Sequence, residues 1–273
     1  MRPVRSSLVV LSLAAVLAVT TACGGLPGLR TDPAVGVAPV GPPAPARGPF
    51  VAAANPLAVA AGMAVLQRGG SAVDAAVAVQ AVLGLVEPQS SGLGGGAFLM
   101  HFDASTGEVT AYDGRETAPA SATDRLFYED GRPLDFRDAV LSGRSTGVPG
   151  VVAMLGQAQR DHGTLAWSDL FGDAETLARD GFIVSPRLAG FIAGRGGQAR
   201  TRWAEAYFTR PDGGRYVAGD RLRNPAYATT LARIATGGAE AFYRGPIAEG
   251  IAATVAEAPR PGGLTTADIA AYQ

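Results

Sequence analysis

The sequence predicts a layered α+β fold, and three observations carry that expectation. A segment from Ala75 to Val86 is apolar almost all round at helical spacing, and a helix without a polar face has to be buried between layers. A glycine turn, Ser90-Ser91-Gly92-Leu93-Gly94-Gly95-Gly96, follows it and leads into two short segments of strand character. Helical segments then return, so sheet does not simply alternate with helix.

Taken in order, Met1 to Val19 reads as an export signal. Arg2 and Arg5 supply positive charge, and Leu8 to Val19 is an apolar run of twelve residues broken only by Ser12. A membrane span needs roughly 20 residues, so this run is short for one. It ends in Thr20-Thr21-Ala22-Cys23-Gly24, which resembles a bacterial lipobox with Thr20 where Leu is usual. Residues 1–22 are therefore expected to be a lipoprotein signal peptide, with Cys23 as the lipid attachment point. The alternative is a plain signal peptide and an incidental Cys. Residues 23–49 hold Pro27, Pro33, Pro39, Pro42, Pro43, Pro45 and Pro49. Such a stretch makes an extended tether rather than a ladder of hydrogen bonds. Residues 50–273 form the expected folded domain, without an internal repeat or an internal boundary. The expected location is extracytoplasmic, on the cell membrane.

Within that domain Asn55-Pro56 opens a helix, Asn as cap and Pro in the first turn, and Gly69-Gly70 closes it. Ser71-Ala72-Val73-Asp74 is a capping-box pattern that starts the apolar helix, and Glu87-Pro88 ends it. Residues 97–102 and 108–113 read as a β-hairpin around Asp103-Ala104-Ser105-Thr106-Gly107. Ser168 is expected to cap a helix running to Gly181. Asn224-Pro225 starts another that reaches about Ala235, Gly245-Pro246 one that ends near residue 258, and Thr266 a last turn.

Composition removes several kinds of chemistry. The 23 basic and 24 acidic residues nearly cancel, which argues against a nucleic-acid partner. Every basic residue is Arg, so no lysine Schiff base or lysine general base is available. With His101, His162 and one Cys, neither a Cys/His zinc cage nor any other metal site is expected, and no cofactor is implied. The glycine turn lacks the Gly-Lys-Ser/Thr ending of a phosphate loop and does not join a strand to a helix as a dinucleotide site must. No Gly-x-Ser-x-Gly elbow supports a Ser-His-Asp triad.

Several blocks, in order, resemble the γ-glutamyltransferase (γ-glutamyltranspeptidase) family. They are Asn55-Pro56-Leu57-Ala58 with Gly69 to Ala76, Glu87 to Phe98, and Arg115-Glu116-Thr117-Ala118-Pro119. Then come Thr146-Gly147-Val148-Pro149-Gly150, Phe242-Tyr243-Arg244-Gly245, and Gly263 to Tyr272. Gln89 stands where the family usually has His. The resemblance implies an Ntn-hydrolase-like αββα sandwich, of which residues 50–273 would be the N-terminal part. It also implies a precursor that cuts itself into two subunits, the second starting with a nucleophilic Thr. That hydroxyl would attack the γ-carbonyl of glutathione or a similar γ-glutamyl donor, and water or an amino-acid or peptide amine would resolve the acyl-enzyme.

By the same resemblance Arg115 holds the substrate α-carboxylate, a task that suits the planar fork of a guanidinium. Glu116 is expected to support it or to position the substrate amine, and a supporting or structural role is preferred because neighbouring strand residues point to opposite faces. Asp113 and Asp74 read as structural, Asp74 through its cap. The family's nucleophile block is Thr-Thr-His. Thr20-Thr21, Thr229-Thr230 and Thr265-Thr266 are followed by Ala22, Leu231 and Ala267, so no catalytic residue is expected in this chain. It is expected to be an interrupted, substrate-gripping portion that needs the Thr-bearing small subunit and exposes apolar faces meant for absent strands. Two alternatives stand beside this reading: a cephalosporin- or glutaryl-acylase relative, and a non-catalytic, surface-anchored lipoprotein that binds amino acids.

Overall fold

The structure is a computed structural model that describes residues 48–194, 197–257 and 259–273. The signal peptide, Cys23 and residues 23–47 of the tether lie outside the described residues. Gly48 to Gln273 forms one compact unit.

Local signals place the first elements where the sequence puts them. Helix α1 (Pro56–Gln67) starts at Asn55, whose side chain accepts from the Leu57 N–H. Gly69 ends it at φ 86, a backbone region that favours Gly. Helix α2 (Ala72–Val86) carries the full capping box between Ser71 and Asp74. Strands β1 (Ala97–Asp103) and β2 (Glu108–Gly114) pair antiparallel, with Ala97 opposite Gly114 and Asp103 opposite Glu108. Asp103 shapes their turn by accepting from Ser105 N and Oγ.

The chain continues through the two-residue strands β3 (Tyr128–Glu129) and β4 (Arg132–Pro133), then α3 (Phe136–Val140), α4 (Val151–His162) and α5 (Gly172–Asp180). Strand β5 (Phe182–Ile183), α6 (Pro186–Ala193), α7 (Arg202–Tyr207) and β6 (Arg221–Leu222) follow. Helices α8 (Pro225–Gly237), α9 (Glu240–Tyr243), α10 (Pro246–Val255) and α11 (Thr266–Ala270) complete it. Ser168 does not cap α5 as expected. A 3-10 turn over Trp167–Leu170 intervenes, because the Trp167 indole donates to Ile234 O and Leu170 and Phe171 are drawn into the core. Helix α10 ends at Val255, three residues short of the expected end.

Helix α2 is the centre of the core. Val77, Ala78, Ala81, Val82, Leu85 and Val86 are fully buried on it, against α1, α4 and α5. The inward side chains of the hairpin, Leu99 and Tyr112, join the same core. Its other face does not: Phe98, Met100, Phe102 and Val109 are each at least 60% exposed. Phe102 stands opposite Val109 and Met100 opposite Ala111, so these residues form one continuous apolar face. No helix among the described residues is long and apolar enough to cross a membrane.

Candidate active site

Three backbone segments close around the end of β2. Asp113 Oδ1 accepts from the Arg115 N–H at 2.8 Å, an Asx-type turn that stops the strand at Gly114. Thr117 and Val148 exchange both backbone hydrogen bonds, at 2.8 and 3.3 Å. The N–H groups of Gly150 and Val151 both donate to Gly95 O, at 3.0 and 3.1 Å. The glycine turn, the Arg115 segment and residues 146–150 are thereby joined edge to edge. Glycine is needed where they meet. A Cβ at Gly96 would lie 2.6 Å from both Glu116 Oε2 and Gly114 O, and one at Gly147 would lie 2.9 Å from Thr117 O.

The junction leaves an open cleft of about 500 Å³, lined by Gly94, Arg115, Glu116, Thr117, Arg144 and Thr146 among others. Two guanidiniums face it, and they differ. Arg144 is committed: it pairs with Glu129 at 3.1 Å and donates to Tyr128 O at 3.2 Å. Arg115 meets Glu116 through Nε at 3.4 Å, while 71% of its side chain remains exposed. Glu116 is thus not turned to an opposite face, because both residues lie beyond the strand. Side by side, a forked cation and a carboxylate match the carboxylate and ammonium of an α-amino-acid head group. A larger cleft of about 610 Å³ beside Trp167 and Ala239 has Arg160 as the one charged residue among the described residues that line it, so it lacks this paired recognition.

The other singled-out residues are placed elsewhere. Asp74 is fully buried and does more than cap α2. Its oxygens accept from the N–H groups of Ser71, Thr164 and Leu165, the Thr164 hydroxyl and the Gln159 amide. Burial alone would push its carboxyl up; the donors from Thr164, Ser71, Leu165 and Gln159 outweigh burial and hold it below the ordinary value. Thr229 and Thr230 bond back to Pro225 O and Ala226 O within α8, and Thr265 is the cap of α11. Gln89 donates to Glu87, a buried carboxylate that also binds Asn55 and Arg187. His101 and His162 stack with ring centroids 3.8 Å apart, a contact between strand and helix end. Among the described residues no group of three His, Cys, Asp or Glu side chains is placed to hold a metal ion.

Arg144 and Tyr272 at this corner were not foreseen. Tyr272 lay within a recognised block, but nothing local in the sequence ties it to a residue 157 positions away.

The unit is a portion of an Ntn-hydrolase-like fold of mixed helix and sheet. The model of the gamma-glutamyltranspeptidase family matches residues 58–273, and the chain belongs to that family. The glutathione hydrolase proenzyme of Bacillus subtilis is 37% identical over 224 residues, which are 82% of this chain and 38% of that protein. The crystal structure of the Helicobacter pylori gamma-glutamyltranspeptidase superposes with a TM-score of 0.76 at 32% identity, over 85% of this chain and 66% of that one. A cephalosporin acylase from Bacillus halodurans gives 0.67 at 29% identity, over 86% of this chain and 45% of that one. The chain spans between 31% and 40% of the length of the curated relatives it matches.

Proposed function

We propose that this chain is the donor-gripping part of a γ-glutamyltransferase or glutathione hydrolase. The observation that carries the reading is the open Arg115 guanidinium on the cleft, with Glu116 beside it. A γ-glutamyl donor differs from an ordinary peptide in keeping its α-carboxylate and α-amine free. Arg115 takes the carboxylate through two parallel charge-assisted bonds, and Glu116 steadies the guanidinium or receives the ammonium.

The reaction needs a nucleophile, and among the described residues Thr229 and Thr230 are bonded back within α8 while Thr265 caps α11. In this reading an N-terminal Thr, on a small subunit outside these 273 residues, supplies it. Its hydroxyl forms an ester with the γ-carbonyl, the amide C–N bond breaks, and the departing amine takes the proton. Water then releases glutamate, or an amine acceptor takes the γ-glutamyl group. The same segment covers the outer face of the hairpin. Residues 1–22 direct export, Cys23 carries the lipid and residues 23–49 tether the domain of residues 50–273 on the outer side of the membrane.

The likeness to a cephalosporin acylase favours a second reading, in which the donor lacks the α-amine. Two anilides separate them when assayed with the complete enzyme. The γ-glutamyl reading expects kcat/KM for the γ-glutamyl anilide to exceed that for the glutaryl anilide, which keeps the carboxylate and lacks the amine. The reverse preference supports the acylase.

A further inference from the structure

An exposed side chain cannot be aimed by its own packing, so something else must fix Arg115. Its backbone is held at both polar groups. The N–H is taken by Asp113 Oδ1, and the carbonyl accepts from Tyr272 Oη at 2.7 Å. The Tyr272 ring stacks on Tyr243 with centroids 5.8 Å apart and planes 16° from parallel.

Tyr243 is itself fixed. It is buried, its hydroxyl donates to Pro149 O at 3.0 Å, and it accepts from the Ala153 N–H at 3.0 Å. Those partners flank the start of α4, next to the segment that pairs with Thr117. Gly150 gives the hydroxyl room, since a Cβ there would strike Tyr272 Oη and Gly114 O. The segment that precedes Tyr272 grips residues 120 and 121, beyond Arg115, as well. Asp268 accepts from the Ala120 N–H at 2.9 Å, and Ser121 Oγ donates to Gly263 O at 3.1 Å. Burial, with the charges of Asp113 and Glu116, raises the Tyr272 phenol above its ordinary value, so the hydroxyl stays a donor.

We infer that Tyr272, braced by Tyr243, is a positioning residue that aims Arg115 at the donor carboxylate. This rests on the reading of Arg115 given above. It assigns a purpose to two sequence blocks that the cleft itself does not use.

The test is made in the complete enzyme, this chain with its nucleophile-bearing segment. Tyr272→Phe keeps the ring and its stack and removes only the hydroxyl. With a γ-glutamyl anilide, KM should rise roughly threefold to tenfold, the worth of one hydrogen bond, while kcat and Tm hold. Tyr272→Leu, which also loses the stack, should raise KM further. Arg115→Ala is assayed in parallel. If it collapses kcat/KM while Tyr272→Phe leaves KM unchanged, the inference is overturned and the Arg115 reading survives. A fall in kcat and Tm with unchanged KM also overturns it, as the mark of a merely structural tyrosine. If Arg115→Ala itself changes nothing, the reading of Arg115 falls and takes this inference with it.

Discussion

Asp74 and Arg115 are both charged residues in recognised sequence blocks, yet the fold treats them in opposite ways. Asp74 is wholly buried and surrounded by donors from Ser71, Gln159, Thr164 and Leu165. Its charge is spent within the protein, where it pins the start of α2 to the loop after α4. Arg115 sits on an open cleft with one long contact to Glu116. Its backbone is tied down while its charge is left for something else. A saturated charge holds a fold together, and an unsaturated charge on a rigid backbone is free to serve a ligand.

The largest effect expected from this contrast is on stability at Asp74. Asp74→Ala should cost on the order of 3–5 kcal/mol, because several buried donors lose their acceptor at once. Urea unfolding followed by circular dichroism measures it, and a loss under about 1 kcal/mol would remove the distinction.

The same carboxylate predicts an acid limit. Its folded pKa lies below the ordinary 3.8, so its contribution is complete above that value and lost as pH falls through the folded one. The stability difference between the unchanged chain and Asp74→Ala should therefore shrink below about pH 4. A difference that stays constant down to pH 2 would contradict this.

Smaller effects belong to the open side of the molecule. Glu116→Gln should leave stability within about 1 kcal/mol, since an exposed ion pair contributes little. In this chain without the nucleophile-bearing segment, Phe98→Ser with Phe102→Ser should alter stability by about as little while reducing the binding of a hydrophobic dye, because both side chains face solvent there. A marked loss of stability in that pair would mean that the hairpin face is packed.

What the sequence made legible follows the reach of each interaction. The caps at Asn55, Ser71 and Asn224 involve residues two or three positions apart, and all three are where their motifs place them; the last turn, expected from Thr266, does start there and is capped by the preceding Thr265. The hairpin and its turn are equally local. Helix α6 was overlooked although Ser185-Pro186 starts it by the same cap-and-proline rule. The 3-10 turn at Trp167 depends on a hydrogen bond to Ile234, 67 positions on, which no local pattern records. At the site, the matched block singled out Arg115. The backbone ties from Thr117 to Val148 and from Gly95 to Gly150, and the bond from the Tyr272 hydroxyl to the Arg115 carbonyl, are long-range contacts that only folding brings together. The alternation of strand side chains does not reach Glu116, because the Asp113 turn stops the strand at Gly114 and leaves Arg115 and Glu116 side by side.

The most direct test of the whole account is Arg115→Ala in the complete enzyme, with kcat/KM for a γ-glutamyl anilide and Tm measured on the same preparation. A loss on the order of 2–5 kcal/mol of transition-state stabilisation is expected, with Tm unchanged. An unchanged kcat/KM, or a loss that merely follows a fall in Tm, would contradict it.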